Sequence, residues 1–112
     1  QVYVRVVDAK SFVRAAEALH RVALALSDES WYLSYYRDKD QVEVDFVLEN
    51  SQRQLIGIEV KAAATVQAQD FKGLRKLKAQ TGTDFLTGIV LYDGAHAVPF
   101  GEGLWAVPLS AL

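Results

Sequence analysis

The chain has 112 residues, 51% of them hydrophobic and 23% charged. That balance excludes a disordered or fibrous protein and leaves room for one domain with a real core, spanning 1–112, but not for two. Cysteine is absent, which excludes disulfides and thiolate metal sites, and a formal net charge of −2 gives the whole protein no attraction for a phosphate backbone. Any nucleic-acid role therefore requires a local basic patch. Methionine is absent too, so a sequence opening Gln1-Val2-Tyr3 is expected to be a piece of a longer protein. No apolar run approaches the roughly 20 residues needed to span a bilayer, and the N-terminus lacks a signal-peptide pattern, so a cytoplasmic location without membrane contact is the expectation.

Val2, Val4 and Val6 alternate with Tyr3 and Arg5, which predicts a first strand. Phe12, Ala15, Ala16, Leu19, Ala23 and Leu26 then recur at helical spacing, with Asp8 or Ser11 as candidate caps. The aromatic run 31–38 reads as a strand, 38–41 as a hairpin turn, and 41–49 as the next strand. A polar loop at 50–53 leads to a further strand at 54–61, and two hairpins in series make an antiparallel meander. Asp70 is a plausible N-cap for a short helix with Phe71, Leu74 and Leu77 inward and Lys72, Arg75, Lys76 and Lys78 outward, ended by Thr81-Gly82-Thr83. The apolar run 85–92 reads as a strand buried on both faces and completes a βαβ unit. The tail offers one or two short edge strands containing Pro99 and Pro108, then a turn from Leu109.

The chemistry concentrates in the second hairpin. Alternation places Glu43, Asp45 and Glu49 on one face and Val42, Val44, Phe46 and Leu48 on the other, while Gly57, Glu59 and Lys61 oppose Ile56, Ile58 and Val60. Matching the apolar sets forces the charged sets together. With a five-residue loop Asp45 lies across from Glu59, and a register shifted by two puts Glu43 there. The two carboxylates then stand about 5 Å apart at their β-carbons and repel unless a cation lies between them. Lys61 is one such cation. A hard divalent ion such as Mg²⁺, often held by one or two carboxylates with waters and phosphate oxygens, is another. The bland alternative is a salt-bridged, solvated sheet face contributing about 0–1 kcal/mol per pair.

Asp45, thirteen intervening residues and then Glu59-Val60-Lys61 resemble the PD-(D/E)xK nuclease superfamily. The order helix, hairpin, strand ending in ExK, helix and buried strand matches its core. Val44 stands where the superfamily name has proline, a position that varies freely. From about Phe12 onward, "YYRDKDQVEVDFVLE", "GIEVKAAAT", "DFKGLRKL" and "GIVLYDG" with "VPFGEGLWAVPLSAL" look like the uncharacterised C-terminal domain that follows an AAA+ ATPase module in many bacterial and archaeal proteins. This resemblance implies an α/β (α+β) fold with a restriction-endonuclease-like three-layer core, a mixed β-sheet flanked by helices, and a parent chain carrying the ATPase domain. It also implies a Mg²⁺ or Mn²⁺ site built from Asp45, Glu59 and the Val60 carbonyl, with Lys61 handling the attacking water. The superfamily adds a glutamate from the first helix; aligned on Phe12-Val13 that place is held by Lys10, leaving Glu17, Glu43 and Gln67 as accessory candidates. No Walker motif is present, so ATP hydrolysis does not reside in these residues.

Two functions from different classes follow. One is a metal-dependent nuclease or nuclease-like domain contacting nucleic acid through Lys72, Arg75 and Lys76. The other is a non-catalytic DNA- or protein-binding module that gives the ATPase its target. The wet side of an amphipathic helix explains the same lysines, and Trp31, Tyr32, Tyr35 and Tyr36 read as sheet core in preference to a base-stacking platform, since alternation puts some rings on each face. His20 and His96 have no ligand-like spacing.

Overall fold

The computed structural model describes residues 31–37 and 43–111. The strand expected at 2–6, the helix expected at 12–26 and the turn expected at 38–41 lie outside the described residues. Within them a mixed six-stranded sheet runs in the order β1-β2-β3-β4-β6-β5, which with its helix makes an α/β fold. The strands are β1 (Trp31–Arg37), β2 (Glu43–Asn50), β3 (Leu55–Lys61), β4 (Phe85–Tyr92), β5 (Val98–Pro99) and β6 (Leu104–Pro108). A 3₁₀ turn, Ala68–Phe71, leads into the helix α1 (Lys72–Thr81). β1, β2 and β3 form the expected antiparallel meander; β4 pairs parallel with both β3 and β6, so β3, α1 and β4 form the expected βαβ unit. No helix among the described residues is long and apolar enough to cross a membrane.

The register of β2 on β3 is set by their connecting loop. Asn50 is almost wholly buried, and its Oδ1 accepts the Gln52 amide at 3.0 Å and the Gln54 amide at 2.9 Å, curling the chain back on itself. Glu49 then pairs with Leu55, Leu48 with Ile56, and Phe46 with Ile58, as a five-residue loop requires.

α1 covers one face of the sheet. Phe71, Leu74 and Leu77 are fully buried against Val44, Val47, Leu55, Phe85, Val90 and Leu104. Gly57 and Gly88 lie beneath the helix, where a β-carbon would meet Leu74 Cδ2 at 2.7 Å from Gly57 and Leu74 Cβ at 3.3 Å from Gly88. Phe46, Leu48, Ile58, Val60 and Leu91 form a second buried cluster, packed with Trp31, Ile89 and Val107. The second helical layer expected over the sheet falls on residues outside those described. Gly82, at φ 59°, ends α1 and donates its amide to the Lys78 carbonyl.

Four expectations need correction. Val44 does not share a face with Phe46 and Leu48: it belongs to the α1-side cluster. The cause is a β-bulge, since Ser34 pairs with Val47 but Tyr36 with Val44, two steps on β1 against three on β2. Asp70 is not an N-cap, because the 3₁₀ turn begins at Ala68 with Gln67 in the cap position. β4 is not buried along its whole length: a register irregularity beside Leu55 leaves Leu86 exposed, and continuous burial is confined to Val90, Leu91 and Tyr92. Finally, β6 is not an edge strand, as it lies between β4 and β5. Pro108 ends that strand beyond the two residues that pair with β5, so its missing N–H costs no ladder bond on that side.

Candidate functional site

Asp45 sits in the bulge of β2. Val44 packs on the α1 side and Phe46 on the other, and Asp45 between them falls in the stretch where two residues of β2 meet one of β1 and strict alternation is broken. The paired ladder with β3 stops at Phe46 and Ile58. One step on, the Val60 amide donates to Asp45 Oδ2 at 2.9 Å, a bond a β2 carbonyl would accept in a regular antiparallel ladder. The carboxylate has therefore moved into the seam between the strands, at the end of β3.

Glu59 precedes Val60 and follows Gly57 on the α1 side of the sheet. Asp45 is 7% exposed and Glu59 5%, which rules out a solvated face. Carboxylates taken out of water to this extent cost several kcal/mol unless paired or hydrogen-bonded. Among the described residues no buried side-chain nitrogen or oxygen lacks a hydrogen-bond partner. The sequence therefore brings Asp45 and Glu59 to neighbouring positions, with the bulge turning Asp45 toward Val60 instead of leaving it squarely opposite Glu59.

Lys61 does not neutralise this pair. Its Nζ lies 2.5 Å from Asp70 Oδ2, with the two side chains 25% and 10% exposed. The same oxygen accepts the Gln67 amide at 2.7 Å, while the Asp70 amide donates to the Gln67 carbonyl at 2.9 Å. Asp70 thus closes the 3₁₀ turn and holds the lysine. Its role escapes the sequence reading because an acidic residue three positions after a polar one signals only a helix start. The return of the chain onto Lys61, nine residues back, is a three-dimensional fact.

These groups lie at the carboxyl end of the parallel segment, where Lys61 pairs with Tyr92 and Tyr92 with Pro108. The Asp93 amide donates to the Ala63 carbonyl at 2.9 Å, tying together the two loops that leave this edge. In open α/β sheets, ligands bind in crevices beyond such strand ends.

Of the remaining candidates, Glu17 lies outside the described residues. Glu43 opens β2 opposite Arg37, and its side chain is not among those described. The Gln67 side chain is exposed and accepts from Gln69 Nε2 at 3.1 Å. Lys72, Arg75 and Lys76 are exposed on α1 as expected. Arg75 Nη2 donates to the Phe100 carbonyl at 3.2 Å and Lys78 Nζ to the Glu102 carbonyl at 2.8 Å, so two of the four cations fasten the turn before β6.

A hard divalent cation suits the oxygen donors of Asp45 and Glu59. Among the described residues no three His, Cys, Asp or Glu side chains are grouped so as to hold a metal ion, so any cation here would need further oxygen donors from water or a ligand.

Neither a curated protein nor a solved structure matches the chain significantly. The model of one family, described as a domain of unknown function (DUF4143), matches residues 14–112, and the chain belongs to that family.

Proposed function

We propose that this is a nuclease-like domain of the PD-(D/E)xK type, with a divalent-cation site at the end of β3, attached in its parent chain to an AAA+ ATPase module and working in the cytoplasm. In this reading Asp45, Glu59 and the Val60 carbonyl bind Mg²⁺ or Mn²⁺, and Lys61 faces the attacking water. Lys72, Arg75 and Lys76 contact nucleic-acid phosphates. The supporting observation is the hydrogen bond from the Val60 amide to Asp45, which carries a buried carboxylate to the strand end where Glu59 is also buried. A residue in an extended strand turns its N–H and C=O to the same side, so the Val60 carbonyl faces the Asp45 seam as well. When bound, such a cation polarises a phosphodiester and lowers the pKa of its water. The chain's own contribution is to orient Asp45 through the Val60 amide and to keep an ammonium one pleat from Glu59.

Titration calorimetry with Mn²⁺, alongside incubation of labelled single- and double-stranded DNA with Mg²⁺ or Mn²⁺, tests the proposal. Saturable binding and cleavage, both lost in Asp45→Ala, are expected. No binding by the wild type removes the cation site, and binding without cleavage removes the catalytic step.

A second reading, a non-catalytic module that gives the ATPase its DNA or protein target, draws on the engagement of Lys61 by Asp70. Salt-dependent DNA binding that survives Glu59→Ala and falls on changing Lys72 and Lys76 favours it.

A further inference from the structure

We infer that Asp70 is a positioning residue for Lys61, and that the Lys61–Asp70 pair, not Lys61 alone, is what the strand end presents to an incoming anion. The inference rests on the reading of this edge as a phosphodiester site, although its central contact stands independently. Lys61 is the last residue of β3 and follows Glu59 on the same side of the sheet. A lysine has four rotatable side-chain bonds and a strongly hydrated head, so its ammonium does not hold one place unaided. Here Nζ is fixed at 2.5 Å from a carboxylate oxygen that is itself held by the Gln67 amide at 2.7 Å.

Charge-assisted bonds of this kind are the strong ones, and this pair is mostly shielded, with Asp70 only 10% exposed. Lys61 keeps 25% of its side chain exposed, so the lysine is not sealed off from solvent. The tether also explains why a lysine two residues from a buried glutamate does not collapse onto it. Asp70 draws the ammonium toward the entry of α1. Because Asp70 also closes the first turn before α1, the placement of Lys61 is tied to the helix that carries Lys72 and Lys76.

The test separates positioning from capping. In Asp70→Asn the side-chain oxygen still accepts the Gln67 amide while the charge that holds the ammonium is gone; Asp70→Ser makes the same comparison should the first variant fold poorly. The intact protein is acylated with an amine-reactive ester at near-neutral pH, and each lysine is followed by peptide mass spectrometry. In the wild type Lys61 is expected to react several-fold more slowly than Lys72 and Lys76. In Asp70→Asn its rate should rise several-fold while theirs stay constant. Equal Lys61 rates in wild type and variant overturn the inference, whatever Mn²⁺ does. Mn²⁺ titration of the same proteins judges the other question: an affinity unchanged within a factor of two in Asp70→Asn is expected, since Asp70 acts on Lys61 and not on the cation. A large loss makes Asp70 a ligand and overturns the assignment. Absence of Mn²⁺ binding in the wild type counts against the proposed cation site alone, because the acylation result does not depend on it.

Discussion

Asp45 and Val60, fifteen residues apart, are joined by a 2.9 Å hydrogen bond from a backbone amide to a buried carboxylate oxygen. The bond ends the β2–β3 ladder and opens the site at once, because a side chain takes the amide where a main-chain carbonyl would otherwise serve. The bulge makes this reach available by adding a residue to β2 just where β3 approaches its last residues.

That double role predicts a split between two substitutions. Asp45→Asn keeps an acceptor for the Val60 amide, so its stability in chemical denaturation should stay within about 1 kcal/mol of the wild type. Its affinity for Mn²⁺ should fall at least about tenfold with the lost charge. Asp45→Ala leaves a buried N–H without its partner and should cost a further ~1–3 kcal/mol. Equal stability of the Asn and Ala variants would show that the bond does not hold the strand end.

A second substitution probes the close approach of α1 to the sheet. A β-carbon at Gly88 would lie 2.8 Å from Leu104 Cδ2, 2.9 Å from Phe85 Cζ and 3.3 Å from Leu74 Cβ. The last two atoms are poorly placed to move, being a ring edge and the root of a fully buried leucine. Gly88→Ala should therefore overpack the core and destabilise by about 1–3 kcal/mol, seen as a lower denaturation midpoint with unchanged slope.

The facing of β2 and β3 was legible in the sequence because apolar alternation sets Phe46 and Leu48 with Ile58 and Ile56 and a one-residue slip would expose all four, while a shift by two, which keeps the faces, is excluded by the five-residue loop. The same reasoning misplaced Val44. In the sequence Val44, Phe46 and Leu48 form an unbroken alternation, and the extra residue shows only against β1, a strand whose register the pattern does not specify. The approach of Asp45 to the end of β3, where Glu59 is buried, survives this correction, since the Val60 amide donates to its carboxylate. Asp70 was hidden for a different reason. Its carboxylate serves a turn through Gln67 and an ammonium through Lys61, and only the first is local in sequence.

Asn50 should prove as important to the hairpin as any apolar residue. Its Oδ1 accepts two loop amides and its Nδ2 donates to Gln54 Oε1 at 2.8 Å, while the residue is only 2% exposed. Asn50→Ala deprives two backbone donors of their acceptor and should cost about 1–3 kcal/mol, measured by urea denaturation. Asn50→Asp retains Oδ1 and should recover part of that loss. Full stability in the alanine variant would mean that the apolar match sets the register without help from the loop.

The cations of α1 divide by what they touch. Arg75 holds the Phe100 carbonyl next to the stacked rings of Phe71 and Phe100, whose centroids are 4.8 Å apart, and Lys78 holds the Glu102 carbonyl. Arg75→Ala should therefore loosen the turn before β6 and cost about 0.5–1.5 kcal/mol, toward the lower end because the bond is exposed. Lys72 and Lys76 are exposed on the same helix without a turn to fasten. Changing both to alanine should leave stability within about 0.5 kcal/mol of the wild type. If α1 meets duplex DNA, that double variant should weaken binding uniformly across sequences and reduce the slope of log K against log salt by about 0.9 for each phosphate contact removed. Arg75→Ala should then show both effects together. An unchanged salt slope in the Lys72 and Lys76 variant would take these residues out of the nucleic-acid interface and leave them as the wet side of an amphipathic helix.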